Sequence, residues 1–294
     1  MSANVTSATK IVGILGYPIK HSLSPRMHNA CFRELGLDMI YLPIEVKAGA
    51  LKKAMMAIRV LNFRGVNLTH PHKIAALGHL DDVSEEAERI GAVNTVVNEN
   101  GILVGHNTDG AGFLRSLKED YSFHTRGKNI VVFGAGGAGR AICWALSQEI
   151  PQRLAIVNRT FVKAETLAKM ISGTAFTWDD PRLQQKVGEA HLLVNATSVS
   201  LPLKPNWIGE GAIVYNIAYH HRDSAFIQSA RKKGVRIGDG LSMLLYQGAL
   251  AFELWAGQKA PVEVMRKAIR DVESGKRIER VNRAVTNRDG GHSC

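Results

Sequence analysis

Short apolar runs alternate with amphipathic segments along most of the chain. The first run, Lys10 to Leu15, is followed by Gly16 and Pro18, which predicts a buried strand that ends in a turn. Ser24 and Pro25 then begin an amphipathic stretch, which predicts a helix with Ser24 as its N-cap. The other elements predicted up to residue 106 are strands at 41–46 and 65–69, a helix over 51–61, and a hairpin over 92–105 that turns at Asn100-Gly101.

The pattern changes near residue 107. A short helix is predicted from Ala111 to Leu117, and a fully apolar strand from Asn129 to Phe133 leads directly into glycines and another helix. Alternating strands and helices are typical of a parallel sheet with right-handed crossovers. The remaining predicted elements are strands at 154–157, 192–195 and 212–216 and apolar helices over 240–255 and 262–273, with a polar, basic and mobile tail after about residue 275.

Composition indicates a globular protein with more than one domain. The chain has 294 residues, of which 45% are hydrophobic and 21% charged, which excludes the disordered and fibrous classes. The formal net charge of +11 suits nucleic acid, an anionic membrane surface or small anionic ligands. The cations are scattered and no nucleic-acid-binding motif is present, so small anions are favoured over nucleic acid.

Cysteine usage and apolar run lengths predict a cytoplasmic protein. Cys31, Cys143 and Cys294 are far apart and form no Cys-x-x-Cys pair, so neither a disulfide framework nor a zinc site is expected. The polar N-terminus is not expected to be a signal peptide, and no run is long and apolar enough to be expected to span a bilayer. A metal site at His70 and His72 is not expected either, because no third ligand accompanies them. The sequence is compatible with a monomer or a homodimer.

A glycine-rich segment with the spacing Gly-x-Gly-x-x-Gly follows the apolar strand 129–133 and begins a helix. In this context the spacing is typical of dinucleotide binding, since glycines permit a tight turn and the helix N-terminus offers N–H groups to phosphate. The alternative is a glycine-rich connector in another α/β protein. The segment consists of Gly134, Ala135, Gly136, Gly137, Ala138 and Gly139.

The end of the next predicted strand indicates which dinucleotide is bound. NAD enzymes usually place an acidic residue there, but this chain has Asn158, Arg159 and Thr160, with Lys163 one helical turn later. Arg159 and Lys163 therefore favour the 2′-phosphate of NADP. The alternative is that both are solvated surface cations.

Several polar motifs lie where predicted strands end, a common place for ligands in open α/β sheets. Taken singly, each is also a common cap or turn signal. Together with the glycine-rich segment, however, the set resembles the shikimate dehydrogenase family, which includes shikimate and shikimate/quinate enzymes. The matching stretches run in family order to about residue 272 and are Tyr17 to Pro25, Asn67 to Lys73, Gly91 to Thr95, Asn107 to Gly110, Gly134 to Gly139, Asn158 to Thr160, Asp239 to Leu244 and Phe252 to Trp255.

The resemblance implies a role for each matching position. Lys73 and Asp109 would form the catalytic pair that acts on the ketone of 3-dehydroshikimate, and sequence does not decide which of them transfers the proton. Without the resemblance, Lys73 would be read as a surface lysine and Asp109 as a helix cap. Ser22 and Ser24 would hold the substrate carboxylate; Asn67, Thr69, Asn94 and Gln247, with Tyr219 nearby, would hold ring hydroxyls; Thr197, Ser198, Ile217, Gly240 and Met243 would lie along the cofactor.

Two positions depart from the family pattern, and both fall on the cofactor side of the expected site. Ser200 stands where the family has glycine and is followed by Leu201 rather than methionine, and His220-His221 replace the usual Asn-Pro. These departures leave the geometry around the nicotinamide open.

The resulting prediction is an α/β fold of two domains with a cleft between them. Residues 1–106, completed by C-terminal helices over 238–275, would form an N-terminal α/β substrate domain, and 107–237 a Rossmann-type, doubly wound NADP domain, with 276–294 as the mobile tail. The expected function is NADP-dependent, reversible reduction of 3-dehydroshikimate to shikimate, a step toward chorismate and aromatic amino acids. One alternative is a quinate/shikimate enzyme that also uses NAD; a more distant one is a non-catalytic, dinucleotide-dependent binding protein.

Overall fold

A computed structural model describes residues 5–199, 201, 203–218 and 225–270. Within them the chain builds two six-stranded sheets, one from each half of the sequence. The first half contains β1 (Lys10–Gly16), α1 (Ser24–Glu34), β2 (Met39–Glu45), α2 (Leu51–Val60), β3 (Gly65–Leu68), α3 (His72–Ala75), β4 (Asp82–Val83), α4 (Glu85–Ile90), β5 (Thr95–Glu99) and β6 (Ile102–His106).

The second half continues with helices and parallel strands in alternation. Its elements are α5 (Asp109–Tyr121), β7 (Asn129–Phe133), α6 (Gly137–Gln148), β8 (Arg153–Val157), α7 (Phe161–Met170), β9 (Thr174–Phe176), α8 (Leu183–Gly188), β10 (Leu192–Asn195), β11 (Ile213–Asn216), α9 (Ala225–Lys232), β12 (Arg236–Asp239), α10 (Gly240–Ala256) and a helix α11 over 262–270.

The first sheet is mixed and has the strand order β2-β1-β3-β5-β6-β4. Strands β2, β1 and β3 are parallel, whereas β5 runs antiparallel to both β3 and β6. The hairpin between β5 and β6 turns at Asn100 and Gly101, which both have positive φ, 54° and 92°. This confirms the turn that Asn-Gly predicts.

The second sheet is fully parallel, with the order β12-β11-β10-β7-β8-β9. This is the doubly wound order, in which the direction of winding reverses between β7 and β10. Ile130 and Val132 of β7 pack into one core and Val131 and Phe133 into another on the opposite face. Burial on both faces explains why the sequence of β7 is a continuous apolar run.

Helix α10 closes the core of the first sheet although it lies far along the chain. Phe252 and Trp255 are buried with Met27 and Tyr41, and the indole N–H of Trp255 donates to the carbonyl of Val96 at 3.0 Å. Residues of α10 thus belong to the same core as residues of α1 and the first sheet. No helix among the described residues has both the length and the apolarity needed to cross a membrane.

Some predicted element boundaries were wrong. Ser24 was predicted to cap α1, but it is the first residue of the helix, and Leu23 is the N-cap. The side chain of Ser24 makes no capping hydrogen bond, and its own backbone N–H donates to the hydroxyl of Ser22. Helix α5 begins at Asp109 and ends at Tyr121, and is thus longer than the predicted 111–117. Strands β4, β9 and β12 were not predicted, since they have two to four residues and little apolar pattern.

Candidate active site

Lys73 and Asp109 meet in a largely buried ion pair. The ammonium of Lys73 lies 2.5 Å from Oδ2 of Asp109, and the two side chains are 17% and 4% exposed. Lys73 is on α3, the next element after β3, and Asp109 is the first residue of α5. A carboxylate that is this buried requires partners for both of its oxygens, and Lys73 supplies one of them.

Asn94 supplies the partner of the other oxygen. Its Nδ2 lies 2.9 Å from Oδ1 of Asp109, 2.9 Å from Oγ1 of Thr108 and 3.2 Å from Oε1 of Gln247. The Oδ1 of Asn94 accepts the backbone N–H of Thr108 at 2.8 Å. Asn94 therefore joins Asp109 on α5 to Gln247 on α10, and two amide hydrogens serve three acceptors.

Asn67 lies beside Asn94, on β3. Its Nδ2 donates to the carbonyl of Asn94 at 3.1 Å and to Oγ1 of Thr95 at 3.0 Å, and its Oδ1 accepts the hydroxyl of Tyr41 at 2.7 Å. Asn67 is only 5% exposed. Both amide hydrogens are used, and Oδ1, which has two lone pairs, accepts one hydrogen bond and can accept a second.

The other predicted substrate residues are not hydrogen-bonded to this network among the described residues. Thr69 follows β3 and packs its methyl group toward Gly16. Ser24 is buried and Ser22 half-buried, and no hydrogen bond in the described part of the chain joins either to Asn67, Asn94 or Asp109. The following predicted or departing positions lie outside the described residues: Tyr219, Ser200, His220 and His221.

The glycine-rich turn has the geometry that its spacing predicts. Gly134 has φ +110°, in the region that favours glycine. A Cβ on Gly139 would lie 2.1 Å from the carbonyl oxygen of Gly134, so helix α6 can start close to β7 only with glycine there. Gly136 immediately precedes α6 and is exposed, and a Cβ there would meet no protein atom within 4 Å. The open backbone at this helix N-terminus fits a dinucleotide pyrophosphate.

Gly137 brings this turn against the ion pair. A Cβ on Gly137 would lie 2.9 Å from Cβ and 3.3 Å from Cδ of Lys73. Gly137 occupies an unspecified position of the Gly-x-Gly-x-x-Gly spacing, so cofactor binding alone does not require glycine there. The contact with the Lys73 stem does require it.

The other expected cofactor residues follow strands β10, β11 and β12 at the same edge of the sheet. Ala196 and Thr197 would touch a Cβ on Gly134, and Thr197 is held by Asn195, whose Oδ1 accepts its N–H at 3.0 Å and its hydroxyl at 2.7 Å. A Cβ on Gly240 would lie 2.0 Å from the carbonyl oxygen of Ile217. The remaining expected members are Ser198, which is exposed after β10, and Met243, whose backbone N–H donates to the hydroxyl of Tyr215 at 3.1 Å.

Arg159 and Lys163 project from the end of β8 and the start of α7. Asn158 links this end to the glycine turn, since its Oδ1 accepts the N–H of Ala135 at 3.3 Å and its Nδ2 donates to the carbonyl of Thr160 at 2.9 Å. Both cations are exposed, and no ion pair within the described ranges involves either. They thus fit an additional phosphate near the turn.

Residues that the sequence did not single out support this site. Thr95 and Thr108 were quoted only as parts of motifs, and Tyr41 only as a strand residue, although all three hydrogen-bond to Asn67 or Asn94. Arg140 donates from Nε to the carbonyl of Ile90 at 2.7 Å and so ties α6 to α4. The signal that could have identified Thr95 in the sequence was its position directly after Asn94, in the same motif. Among the described residues, no group of three or more His, Cys, Asp or Glu side chains is arranged to hold a metal ion.

In the comparison with known proteins, most of the length of this chain matches one family. Three family profiles match it: "Shikimate dehydrogenase substrate binding domain" over residues 14–96, "Shikimate / quinate 5-dehydrogenase" over 116–209, and "Shikimate 5'-dehydrogenase C-terminal domain" over 240–270. A protein of Moorella thermoacetica named "Shikimate dehydrogenase (NADP(+))" is 44% identical over 280 residues, which is 91% of this chain and 95% of that protein.

Solved structures agree with these matches. The shikimate 5-dehydrogenase of Thermus thermophilus, solved in complex with NADP(H) and shikimate, is 41% identical, with a TM-score of 0.81 over 89% of this chain and 99% of that one. The quinate dehydrogenase of Corynebacterium glutamicum, solved in complex with NAD, is less similar in sequence at 29% identity, with a TM-score of 0.80 over 90% of this chain and 99% of that one.

Proposed function

The chain belongs to the shikimate dehydrogenase family, and we propose that it catalyses the NADP-dependent, reversible reduction of 3-dehydroshikimate to shikimate. The observation that carries this proposal is the position of the Lys73–Asp109 pair against the glycine turn, where Gly137 touches the stem of Lys73. A cofactor at the turn and a substrate at the pair would therefore be neighbours.

The two charged side chains have complementary tasks in the proposed reaction. NADPH supplies the hydride that the C3 carbonyl carbon of 3-dehydroshikimate accepts. Negative charge then develops on the carbonyl oxygen, and the Lys73 ammonium stabilises it and provides the proton that completes the new hydroxyl. Asp109 holds the ammonium in place from Oδ2 and is itself held through Oδ1 by Asn94. In the reverse direction the same pair accepts the proton of the substrate hydroxyl.

We propose that the ring hydroxyls bind among Asn67, Asn94 and Gln247. The remaining lone pair of Asn67 would accept a substrate hydroxyl, and Gln247 can exchange its contact with Asn94 for a substrate contact because it lies at 3.2 Å, the longest of the three. Ser22 and Ser24 sit at the start of α1, where hydroxyls and N–H groups suit a carboxylate. Thr69 and Tyr219 complete the proposed set.

For the cofactor, we propose that the residues from Gly134 to Gly139 hold the pyrophosphate and that Arg159 and Lys163 hold the 2′-phosphate of NADP. Asn158 would fix the approach to Arg159, because it accepts the N–H of Ala135 and donates to the carbonyl of Thr160. The proposed nicotinamide surroundings are Thr197, Ser198, Ile217, Gly240 and Met243.

We further propose that residues 1–106 with the helices over 238–275 form the substrate domain and 107–237 the NADP domain. Support comes from the first sheet, whose strands all lie between residues 10 and 106, and from α10, which packs on that sheet. A cytoplasmic location is supported by Cys31 and Cys143, which are buried and not paired in a disulfide.

One assay tests the proposed function against its alternatives. Purified protein is given shikimate or quinate, each with NADP or NAD, and the absorbance of the reduced cofactor is followed. We expect the highest kcat/KM for shikimate with NADP. Higher kcat/KM for quinate, or for NAD, would favour the quinate/shikimate alternative, and no turnover with any of the four combinations would overturn the proposal in favour of a binding protein.

A further inference from the structure

Five buried side chains form a continuous chain of hydrogen bonds that ends on Asp109. The Tyr41 hydroxyl lies 2.7 Å from Oδ1 of Asn67, whose Nδ2 is 3.0 Å from Oγ1 of Thr95. Oγ1 of Thr95 lies 3.0 Å from Oδ1 of Asn94, whose Nδ2 is 2.9 Å from Oδ1 of Asp109. All five residues are between 0% (Thr95) and 5% (Asn67) exposed, so water does not compete for these bonds.

Two backbone groups fix the direction of this chain. The carbonyl of Asn94 can only accept, so the atom of Asn67 that faces it must be the NH2 group, and Oδ1 of Asn67 must face Tyr41. The N–H of Thr108 can only donate, so it must face Oδ1 of Asn94, which turns the NH2 group toward Asp109. Every donor in the chain therefore points toward the carboxylate.

Strand pairing places the middle of the chain. Asn67 on β3 and Thr95 on β5 are direct partners in the antiparallel register, so their side chains emerge next to each other. The ring of Tyr41 is stacked on that of His28 with centroids 4.4 Å apart and an angle of 5°. Burial lowers the pKa of His28 to about 3, so this neighbour is uncharged and does not compete electrostatically for the tyrosine hydroxyl. The first donor is thus held in a fixed position.

We propose that Thr95 and Tyr41 are positioning residues for Asp109, which act through Asn67 and Asn94 and touch neither substrate nor cofactor. The inference rests on the proposed function, because it assigns Asp109 the role given above. Hydrogen bonds in a buried chain polarise one another, so a donor removed at one end weakens the bonds farther along. Asn94 would then hold Oδ1 of Asp109 less firmly, and the Lys73 ammonium would lose its fixed position.

Four variants test this inference. Thr95→Val removes the relay hydroxyl at nearly constant shape, Thr95→Ser retains it, and Tyr41→Phe removes the first donor. Thr125→Val is the matched control, because Thr125 is also a buried threonine but makes no side-chain hydrogen bond within the described residues and lies outside the site. For each variant, kcat, KM for shikimate, the Kd of NADPH and the melting temperature are measured.

We expect kcat of Thr95→Val to fall about tenfold, the effect of weakening one hydrogen bond to a charged group. The Kd of NADPH should stay unchanged and Thr95→Ser should restore kcat. Thr125→Val, which breaks no side-chain hydrogen bond, should leave both kcat and the melting temperature close to wild type. Equal losses of kcat in Thr95→Val and Thr125→Val, or no rescue by serine, would overturn the inference.

A second measurement does not depend on turnover. The side-chain amide signals of Asn94 are recorded by NMR in wild type and in each variant. Two residues of the hydrogen-bond chain, Asn67 and Thr95, separate Tyr41 from Asn94. A movement of the Asn94 signals in Tyr41→Phe therefore shows that the bonds act together, whereas a movement confined to Asn67 would overturn the relay. If wild type fails to oxidise shikimate while these signals move, the proposed function is wrong, but the coupling of the hydrogen bonds from Tyr41 to Asp109 is supported.

Discussion

Replacing Gly137 with alanine is expected to slow turnover while leaving cofactor binding nearly intact. The added Cβ would lie 2.9 Å from Cβ of Lys73 and 3.3 Å from its Cδ. Carbon atoms prefer separations of about 3.5–4.0 Å, so the lysine stem must move by about 0.6–1.1 Å. Because an error of about 1 Å in a reacting group can cost about 10²-fold in rate, kcat should fall by about 10- to 100-fold.

Stability and cofactor affinity separate this effect from general damage. Displacing the Lys73 stem costs stability, but alanine is favoured over glycine in helices by about 1 kcal/mol. Because these two effects oppose each other, the melting temperature of Gly137→Ala should change little. The N–H groups at the start of α6 remain, so the Kd of NADPH, measured by fluorescence titration, should change by no more than about twofold. Gly78→Ala is the matched control, because a Cβ on Gly78 would meet nothing within 4 Å. Wild-type kcat in Gly137→Ala, or a loss of NADPH affinity as large as the loss of kcat, would refute the reasoning.

Three further predictions address the cofactor, the fold and the thiols. Arg159→Ala should raise the Kd of NADP about tenfold and leave that of NAD unchanged, and equal weakening of both would remove Arg159 from the 2′-phosphate. Burial opposes ionisation of Asp120, but hydrogen bonds from Ser242, Arg266 and Tyr246 outweigh it and lower its pKa. A lowered carboxyl pKa stabilises the fold above the unfolded value near about 3.9, and this stabilisation is lost as pH falls through the folded value. At pH 7, Asp120→Asn should therefore unfold at a lower urea concentration than wild type. The difference between the two midpoints should shrink below about pH 4, and a difference that stays constant would contradict the assignment. Burial raises the pKa of Cys31 to about 12 and also raises that of Cys143. A Cys294→Ser variant should thus react with a thiol reagent far more slowly when folded than when unfolded in urea, and rapid labelling of the folded protein would contradict their burial.

The sequence predicted the parts of the fold whose pattern is local. The apolar run of β7 and the glycines after it identify a strand, a turn and a helix within about twenty residues, and Asn100-Gly101 specifies its own turn type. The short strands β4, β9 and β12 lack such a pattern. They are extended because they pair with neighbouring strands. Their existence depends on contacts that the local sequence does not contain.

The candidate site shows the same division. Motifs indicated Lys73, Asn94 and Asp109 as polar residues at strand ends and helix starts, and the resemblance supplied their roles. The contact between Gly137 and Lys73 could not be predicted, because it joins the two halves of the chain across a tertiary interface. Tyr41 and Thr95 were overlooked for a related reason, since a tyrosine or threonine in a strand is common. Only the pairing of β3 with β5 shows that the Thr95 hydroxyl contacts Asn67, and only the packing of β2 in the folded sheet shows that the Tyr41 hydroxyl does so too.

The central claim is that Lys73 and Asp109 act as one catalytic unit beside the cofactor turn. Turnover of shikimate with NADP by Lys73→Ala, Asp109→Ala and the double variant tests this claim most directly. We expect Lys73→Ala to reduce kcat by about 10²-fold or more with little change in cofactor affinity, and the double variant to be about as slow as the slower single variant, since residues that act as a unit are not additive. Losses that multiply in the double variant, or a Lys73→Ala variant impaired mainly in NADP binding, would contradict it.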